Sequence, residues 1–217
     1  QWNTEINTGY GKYHFNWNKQ LSGETLIDYT TYEVAPESGF QNIFVDFRYN
    51  YKYAKGRKRG IEQQLNYRFH DQQELIGGFS YEDFYALPKT ADLPHPFDPQ
   101  KTYNEQNLFY DGTDNTLPIQ LLDANYTNSA GYLQLQSVWN ERWSSTIGLR
   151  YDKNSRYEST FNPRLGLIYK PVANTVIKLL YGEAFRAPAP VESLNIFGTF
   201  TGQQNEKGEY IAKSFRV

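Results

Sequence analysis

The chain has 217 residues, 22 Lys and Arg against 24 Asp and Glu, and no cysteine. Disulfides, thiolate catalysis and cysteine-ligated metals are excluded, and a formal charge of −2 gives no global electrostatic case for nucleic acid. Mean hydropathy is −0.74 and no run of about 18 apolar residues occurs, which excludes a transmembrane helix but not a membrane β-barrel, whose alternating strands average out as hydrophilic.

Polar and apolar residues alternate almost throughout, as in strands whose two faces meet different surroundings. Aromatic residues make up 17% of the chain, 19 of them Tyr. The first strand carries Tyr13, Phe15 and Trp17, and "SGE" at 22–24 reads as the turn into a second strand around Leu26 to Val34. Ile43 to Tyr53 reads as one strand, with Ile43, Val45, Phe47, Tyr49, Tyr51 and Tyr53 on one face and the charges on the other. "KGRKRG" at 55–60 reads as a basic hairpin tip. In the next strand Ile61, Leu65, Tyr67 and Phe69 oppose Glu62, Gln64, Asn66, Arg68 and His70. "DQQ" at 71–73 turns into a strand from Leu75 to Phe84.

Tyr85 to Thr127 breaks this rhythm with Pro88, Pro94, Pro96, Pro99 and Pro118, five of the chain's 10 prolines. A loop this long is expected to be functional or disordered. Alternation resumes at Tyr132 to Trp139, turns at "NER" (140–142), and continues through Trp143 to Asp152 and Arg164 to Lys170. "PVAN" (171–174) leads to Ile177, Leu179 and Tyr181, opposite Lys178, Leu180 and Gly182. The count is about nine strands, all-β, up-and-down and antiparallel. The chain opens in mid-alternation at Gln1-Trp2-Asn3, with no signal peptide, and stops without a terminating element. It reads as a piece of a larger protein.

Two architectures fit. A soluble β-sandwich, carbohydrate-binding or adhesive through an aromatic surface, would bury the apolar faces against a second sheet. A transmembrane barrel would turn them to lipid, with aromatic girdles at both interfaces and polar side chains in the lumen. Tyrosines near strand ends (Tyr49, Tyr51, Tyr53, Tyr151, Tyr169) suit a girdle. Alternating short turns and long loops suit a barrel as well.

"FNPRLGLIYKPVANTVIKLLYGEAFRAPAPVES" at 161–193 resembles the TonB-dependent outer-membrane receptors. The residues that carry the likeness are Asn162-Pro163-Arg164 and Tyr181-Gly182-Glu183-Ala184-Phe185-Arg186-Ala187-Pro188. The resemblance is specific over these residues and diffuse elsewhere, as in "GIEQQLNYRF" (60–69) and "ELIGGFSYED" (74–83). It implies that residues 1–217 are part of a large barrel of about 22 strands with a plugged lumen. It further implies a Gram-negative outer membrane, uptake of a scarce ligand, most often a ferric siderophore, and energy drawn from TonB through a plug domain. Plug, TonB box, the Asn-Pro-x-Leu segment after the Phe-Arg-Ala-Pro box and the terminal aromatic strand are not found in this sequence. With "PVAN" periplasmic, strand parity puts "NER" and "DQQ" in the periplasm, and "KGRKRG" and the 85–127 loop outside.

The candidate site residues follow from this frame. Arg186 is expected to anchor the loop after the last strand, or to contact an anionic ligand. Gly182 is expected to permit a bend and Pro188 to end pairing. His95 offers a contact to a chelate or an ordinary loop residue. Phe97, Tyr103, Phe109, Tyr110 and Tyr126 offer a stacking surface or loop packing. "KGRKRG" offers charge to lipopolysaccharide phosphates or an anionic siderophore. "DGTDN" (111–115) lacks the closing Glu of a calcium loop, and no histidine follows the Phe-Arg-Ala-Pro box, which speaks against haem. No catalytic constellation, resident metal or cofactor is expected. An outer-membrane enzyme is the remaining alternative.

Overall fold

The computed structural model describes residues 1–43, 47–87, 90, 92–101, 105, 108–109, 123–185 and 198–214. In chain order the strands are β1 (Thr4–Asn16), β2 (Leu21–Val34), β3 (Gly39–Asn42), β4 (Arg48–Tyr51), β5 (Ala54–His70), β6 (Gln73–Leu87) and β7 (Leu108–Phe109). They continue as β8 (Ala124–Val138), β9 (Trp143–Asn154), β10 (Thr160–Tyr169), β11 (Ile177–Gly182), β12 (Gly198–Gln204) and β13 (Tyr210–Ser214). Eight form one sheet in the order β1-β2-β5-β6-β8-β9-β10-β11, antiparallel at every pairing. β3 and β4 form a separate hairpin, and β12, β13 and β7 a third small sheet.

The strands are long because their alternation is uninterrupted. β5 has 17 residues, β6 and β8 have 15 each, and β9 has 12. A tilted strand needs ~9–11 to cross the hydrocarbon of a bilayer. Antiparallel register puts paired residues on one face. Ile27, Ile61 and Tyr81 pair across β2, β5 and β6, and Leu135, Ile147 and Leu165 across β8, β9 and β10. This apolar face is open. Ile61 is 46% exposed, Ile147 55% and Leu165 44%, where a sandwich would have buried them.

The turns at 17–20, 71–72, 139–142 and 170–176 gather at one end of the sheet, and the other end carries the long connections 35–53 and 88–123 with a short one at 155–159. The turn-end aromatics lie beside one another: Tyr13 with Phe15, Tyr67 with Phe69, and Trp143 stacked on Tyr169 at 4.2 Å. The buried apolar side chains collect at the loop end, where Val34, Ala54 and Leu87 at the ends of β2, β5 and β6 join Tyr53, Leu93 and Phe97 in a small core.

Three sequence expectations are corrected. "SGE" is not a turn, since Gly23 pairs with Phe15 and Leu65 in mid-ladder. The turn lies earlier, at Trp17–Leu21: the Trp17 N–H donates to the Leu21 carbonyl at 2.9 Å, and Asn18 Oδ1 accepts from the Gln20 and Leu21 N–H groups at 2.8 Å each. Ile43 to Tyr53 is not one strand, because the chain folds back between β3 and β4, with Phe47 in left-handed backbone at φ 57°. "KGRKRG" is not a tip but the loop-end half of β5, paired throughout with β2 and β6. Its charges are tolerated in mid-sheet because the neighbouring strands supply carboxylates. Strand also takes both ends of the expected 85–127 loop, since β6 runs to Leu87 and β8 starts at Ala124.

Candidate functional site

The polar face of the sheet carries two belts of charged and amide groups that cross the strands. In the belt nearer the loops, Lys58 Nζ of β5 lies 3.3 Å from Asp28 of β2 and 2.8 Å from Glu82 of β6. Asn128 of β8 donates to Glu82 at 3.4 Å and meets Asn154 of β9. Gly60 makes room for this belt, because a Cβ there would sit 2.6 Å from Asp28 Oδ1.

The second belt runs one step towards the turns. The Tyr132 hydroxyl of β8 lies 3.0 Å from both Glu62 Oε1 and Gln64 Oε1 of β5, two strands away. Its ring reaches across β6 in the space left by Gly78, where any Cβ would collide with it. Arg150 of β9 stands 5.8 Å from that ring and donates through Nε to Asp152 at 2.9 and 3.0 Å. Asn162 of β10, 7% exposed, closes the belt by donating to Asp152 at 3.2 Å. A notch of about 280 Å³ opens beside it, between Glu62, Gln64, Tyr132, Arg150 and Arg164. A wall so laced with charge-assisted hydrogen bonds is rigid and suits contact with polar solutes or a polar partner segment.

The two halves of the sequence motif meet here. Arg164 pairs with Gly182 and Leu165 with Tyr181, which sets Glu183 opposite Pro163. The Pro163 carbonyl accepts the Glu183 N–H at 3.2 Å, so its main chain faces β11, to which proline has no N–H to offer. β11 ends at Gly182 for this reason. The bend expected of Gly182 is not needed: its backbone is not left-handed, and a Cβ would meet nothing closer than 3.8 Å. Tyr181 lies on the apolar face and its hydroxyl donates to Glu183. Phe185, 49% exposed, crosses to the polar side beside Asp152, Asn154 and Thr160. Arg186, Ala187 and Pro188 lie outside the described residues.

Of the candidate stacking residues, Phe97 and Tyr126 have described side chains, and both pack against neighbouring rings. Phe97 is 5% exposed and stacks on Tyr53 at 4.5 Å. Tyr53, expected in a lipid-facing girdle, is 2% exposed and donates to Glu33 at 2.8 Å. Tyr126 stacks on Phe84 at 4.7 Å. Phe97 thus packs the loop against Tyr53, just before β5, while Tyr126 and Phe84 are a cross-strand pair within the sheet. His95 Nδ1 lies 2.9 Å from the Pro96 carbonyl, a local contact. Phe109 lies in β7; Tyr103, Tyr110 and "DGTDN" lie outside the described residues. The belts themselves were missed, since cross-strand register decides which of many polar residues meet. The turn at Trp17-Asn18 was missed too, although its signal was present. Trp139-Asn140 repeats Trp17-Asn18, and Asn140 Oδ1 accepts from the Arg142 and Trp143 N–H groups at 2.9 and 3.0 Å.

A sheet with one lipid-suited face and one belted polar face agrees with the family comparison. The model of the TonB dependent receptor-like β-barrel matches residues 1–210. The chain belongs to the TonB-dependent receptor family. No curated protein sequence matches it. Among solved structures it is similar to the RagAB peptide transporter, at TM-score 0.50 and 12% identity over 100% of this chain and 26% of that one. It is also similar to the RagAB peptide importer in its closed-closed state, at TM-score 0.47 and 10% identity, with the same coverage of 100% and 26%. At these identities the likeness is one of fold alone. The chain spans about a quarter of the length of these neighbours, 26% in each case.

Proposed function

We propose that these residues form part of the wall of an outer-membrane receptor that takes up a scarce ligand with energy drawn from TonB. The observation that supports the reading is the two-faced sheet, open and apolar on one face and belted with ion pairs on the other. In this reading further strands complete the barrel, and a plug domain makes the TonB contact. The turns are periplasmic and the long connections, including 88–123, are extracellular. Function lies in binding and passage, with no catalysis.

A ferric siderophore is the first ligand class to test, and an oligopeptide the second. Arg164 supports an anionic or polar ligand, or an acidic plug segment, because it faces the 280 Å³ notch without a carboxylate partner among the described residues. The test is expression of the whole gene in its host, iron-replete and iron-starved, with fractionation and uptake of labelled ferric chelates and peptides. Outer-membrane location with induction on iron starvation and chelate uptake is the expected result. Peptide uptake without induction would replace the siderophore while keeping the receptor. A soluble product would overturn the receptor.

A further inference from the structure

The loop after β6 does not rise straight off the sheet. Residues 97–101 fold back over the apolar-face side of β2, β5 and β6, where Phe97 stacks on Tyr53 and Tyr53 bonds Glu33. Between loop and strands lies a cleft of about 490 Å³. Four cations line it, namely Lys55, Arg57, Arg59 and Lys101, with no carboxylate in the lining itself. Three of them have carboxylates nearby: Lys55 with Glu33 at 3.8 Å, Arg57 with Asp83 at 3.1 Å, and Lys101 with Asp98 at 3.7 Å. Two donors remain uncommitted. Arg59 lies over the Tyr29 ring at 5.9 Å and has no ion-pair partner among the described residues. Arg57 Nε is buried and has no hydrogen-bond acceptor.

The position of the cleft identifies its occupant. Lys55, Arg57 and Arg59 share the parity of Ile61, Leu65, Tyr67 and Phe69 along β5. Counting from Phe69, a span of ~9–11 residues is exhausted near Gly60 or Arg59. Arg59 therefore marks the rim of the hydrocarbon and Arg57 the headgroup layer, on the lipid side of the wall. A solute bound inside the barrel does not reach this face. We propose that the cleft is a binding site for the phosphate of an anionic lipid of the surrounding leaflet. Arg57 and Arg59 would donate to the phosphate oxygens, and the acyl chains would run down over Ile27, Ile61 and Tyr81. The fork of an arginine suits a phosphate better than a lysine does. The proposal goes beyond ligand uptake and rests on that reading for the membrane around the wall and for which leaflet is involved.

The test uses the whole receptor, purified in a phosphate-free detergent and shown to be folded by its heat-modifiable gel mobility. It is titrated with a diglucosamine lipid bearing two phosphates, with the same lipid dephosphorylated, and with inorganic phosphate. Each arginine replaced by glutamine is expected to weaken the phosphorylated lipid about tenfold, the range for one charge-assisted hydrogen bond. Arg68→Gln, on the other face of β5, should leave it unchanged. Lys101→Gln lies in the loop and cannot disrupt the ladder, so it gives a reading even if Arg57→Gln fails to fold; a loss of several-fold is expected. Equal binding by wild type and variants, or equal binding of the dephosphorylated lipid, would overturn the site. Inorganic phosphate binding as tightly as the lipid would make the occupant a free anion and overturn the lipid assignment. Failure of uptake with lipid binding intact would leave this site standing and remove only the transport reading.

Discussion

The sheet and the packed loop root obey different solvents. Along the sheet the large apolar side chains stay open: Ile147 is 55% exposed and Leu179 64%. At the loop root Leu93 is 0% exposed, Tyr53 2% and Phe97 5%. The root is built like a small water-soluble core, held by ring stacking and desolvation. The sheet has no such core, and its stability in water would rest on ladder hydrogen bonds and the polar belts. The difference teaches that the loop root completes itself in water, while the apolar face is left open, to be completed by lipid in the proposed reading.

That contrast can be broken from either side. The largest effect is expected at the root. Phe97→Ala should cost about 3–5 kcal/mol locally, the range for truncating a buried aromatic. Hydrogen exchange should speed across residues 90–101 while the amides of β8 to β10 stay protected. Next, Leu65→Arg on the apolar face should destabilise the bilayer-inserted protein by roughly 2–4 kcal/mol. Gln136→Arg, an exposed position on the polar face of β8, should stay within about 0.5 kcal/mol. Urea unfolding in vesicles of both variants checks the pair, and equal losses would erase the distinction between faces.

A smaller effect belongs to the motif. Asn162→Ala removes the donor to Asp152 but leaves Arg150 on that carboxylate. About 1 kcal/mol is expected, visible as a lower unfolding midpoint. Smallest are the turns. Asn18→Ala and Asn140→Ala each lose an acceptor for two main-chain N–H groups. About 0.5 kcal/mol apiece is expected, because the freed N–H groups are exposed and turn to water. The turns are remote from one another, so the double variant should show the sum.

Much of the wall was legible in the sequence. Alternation from Ile61 to His70 and from Trp143 to Asp152 marked both the strands and their faces, because period two is a local property. Three stretches misled for one shared reason. Glycines and clustered charges in "SGE" and "KGRKRG" carry the local signature of turns. Whether they turn depends on what lies opposite. Gly60 shelters Asp28, and Lys58 sits between Asp28 and Glu82, partners 30 and 24 positions away that no local pattern announces. Ile43 to Tyr53 alternates convincingly, yet the chain folds back within it to pair β4 with β3, and of its aromatic residues Tyr53 enters the loop-root core while Phe47 and Tyr49 stay exposed. The motif at 161–193 led to the family, and the fold adds how its halves cooperate, with Pro163 ending the strand that carries Tyr181 and Gly182. Of the candidate ligand contacts, Phe97 proved to be packing. The residues that cross the strands, Tyr132, Arg150 and Asp152, became visible only with the register.

The central claim is that one face of this sheet meets lipid and the other a lumen. The chain has no cysteine, so in a membrane-embedded receptor whose other segments are also freed of cysteine, single substitutions from Ile61→Cys to Phe69→Cys give an unambiguous scan of β5. Each is labelled with a water-soluble maleimide and with a lipid-phase reagent. The account predicts alternation: positions 61, 65, 67 and 69 react from the lipid phase, and 62, 64, 66 and 68 from water. Labelling of both sets by the aqueous reagent alone would contradict it.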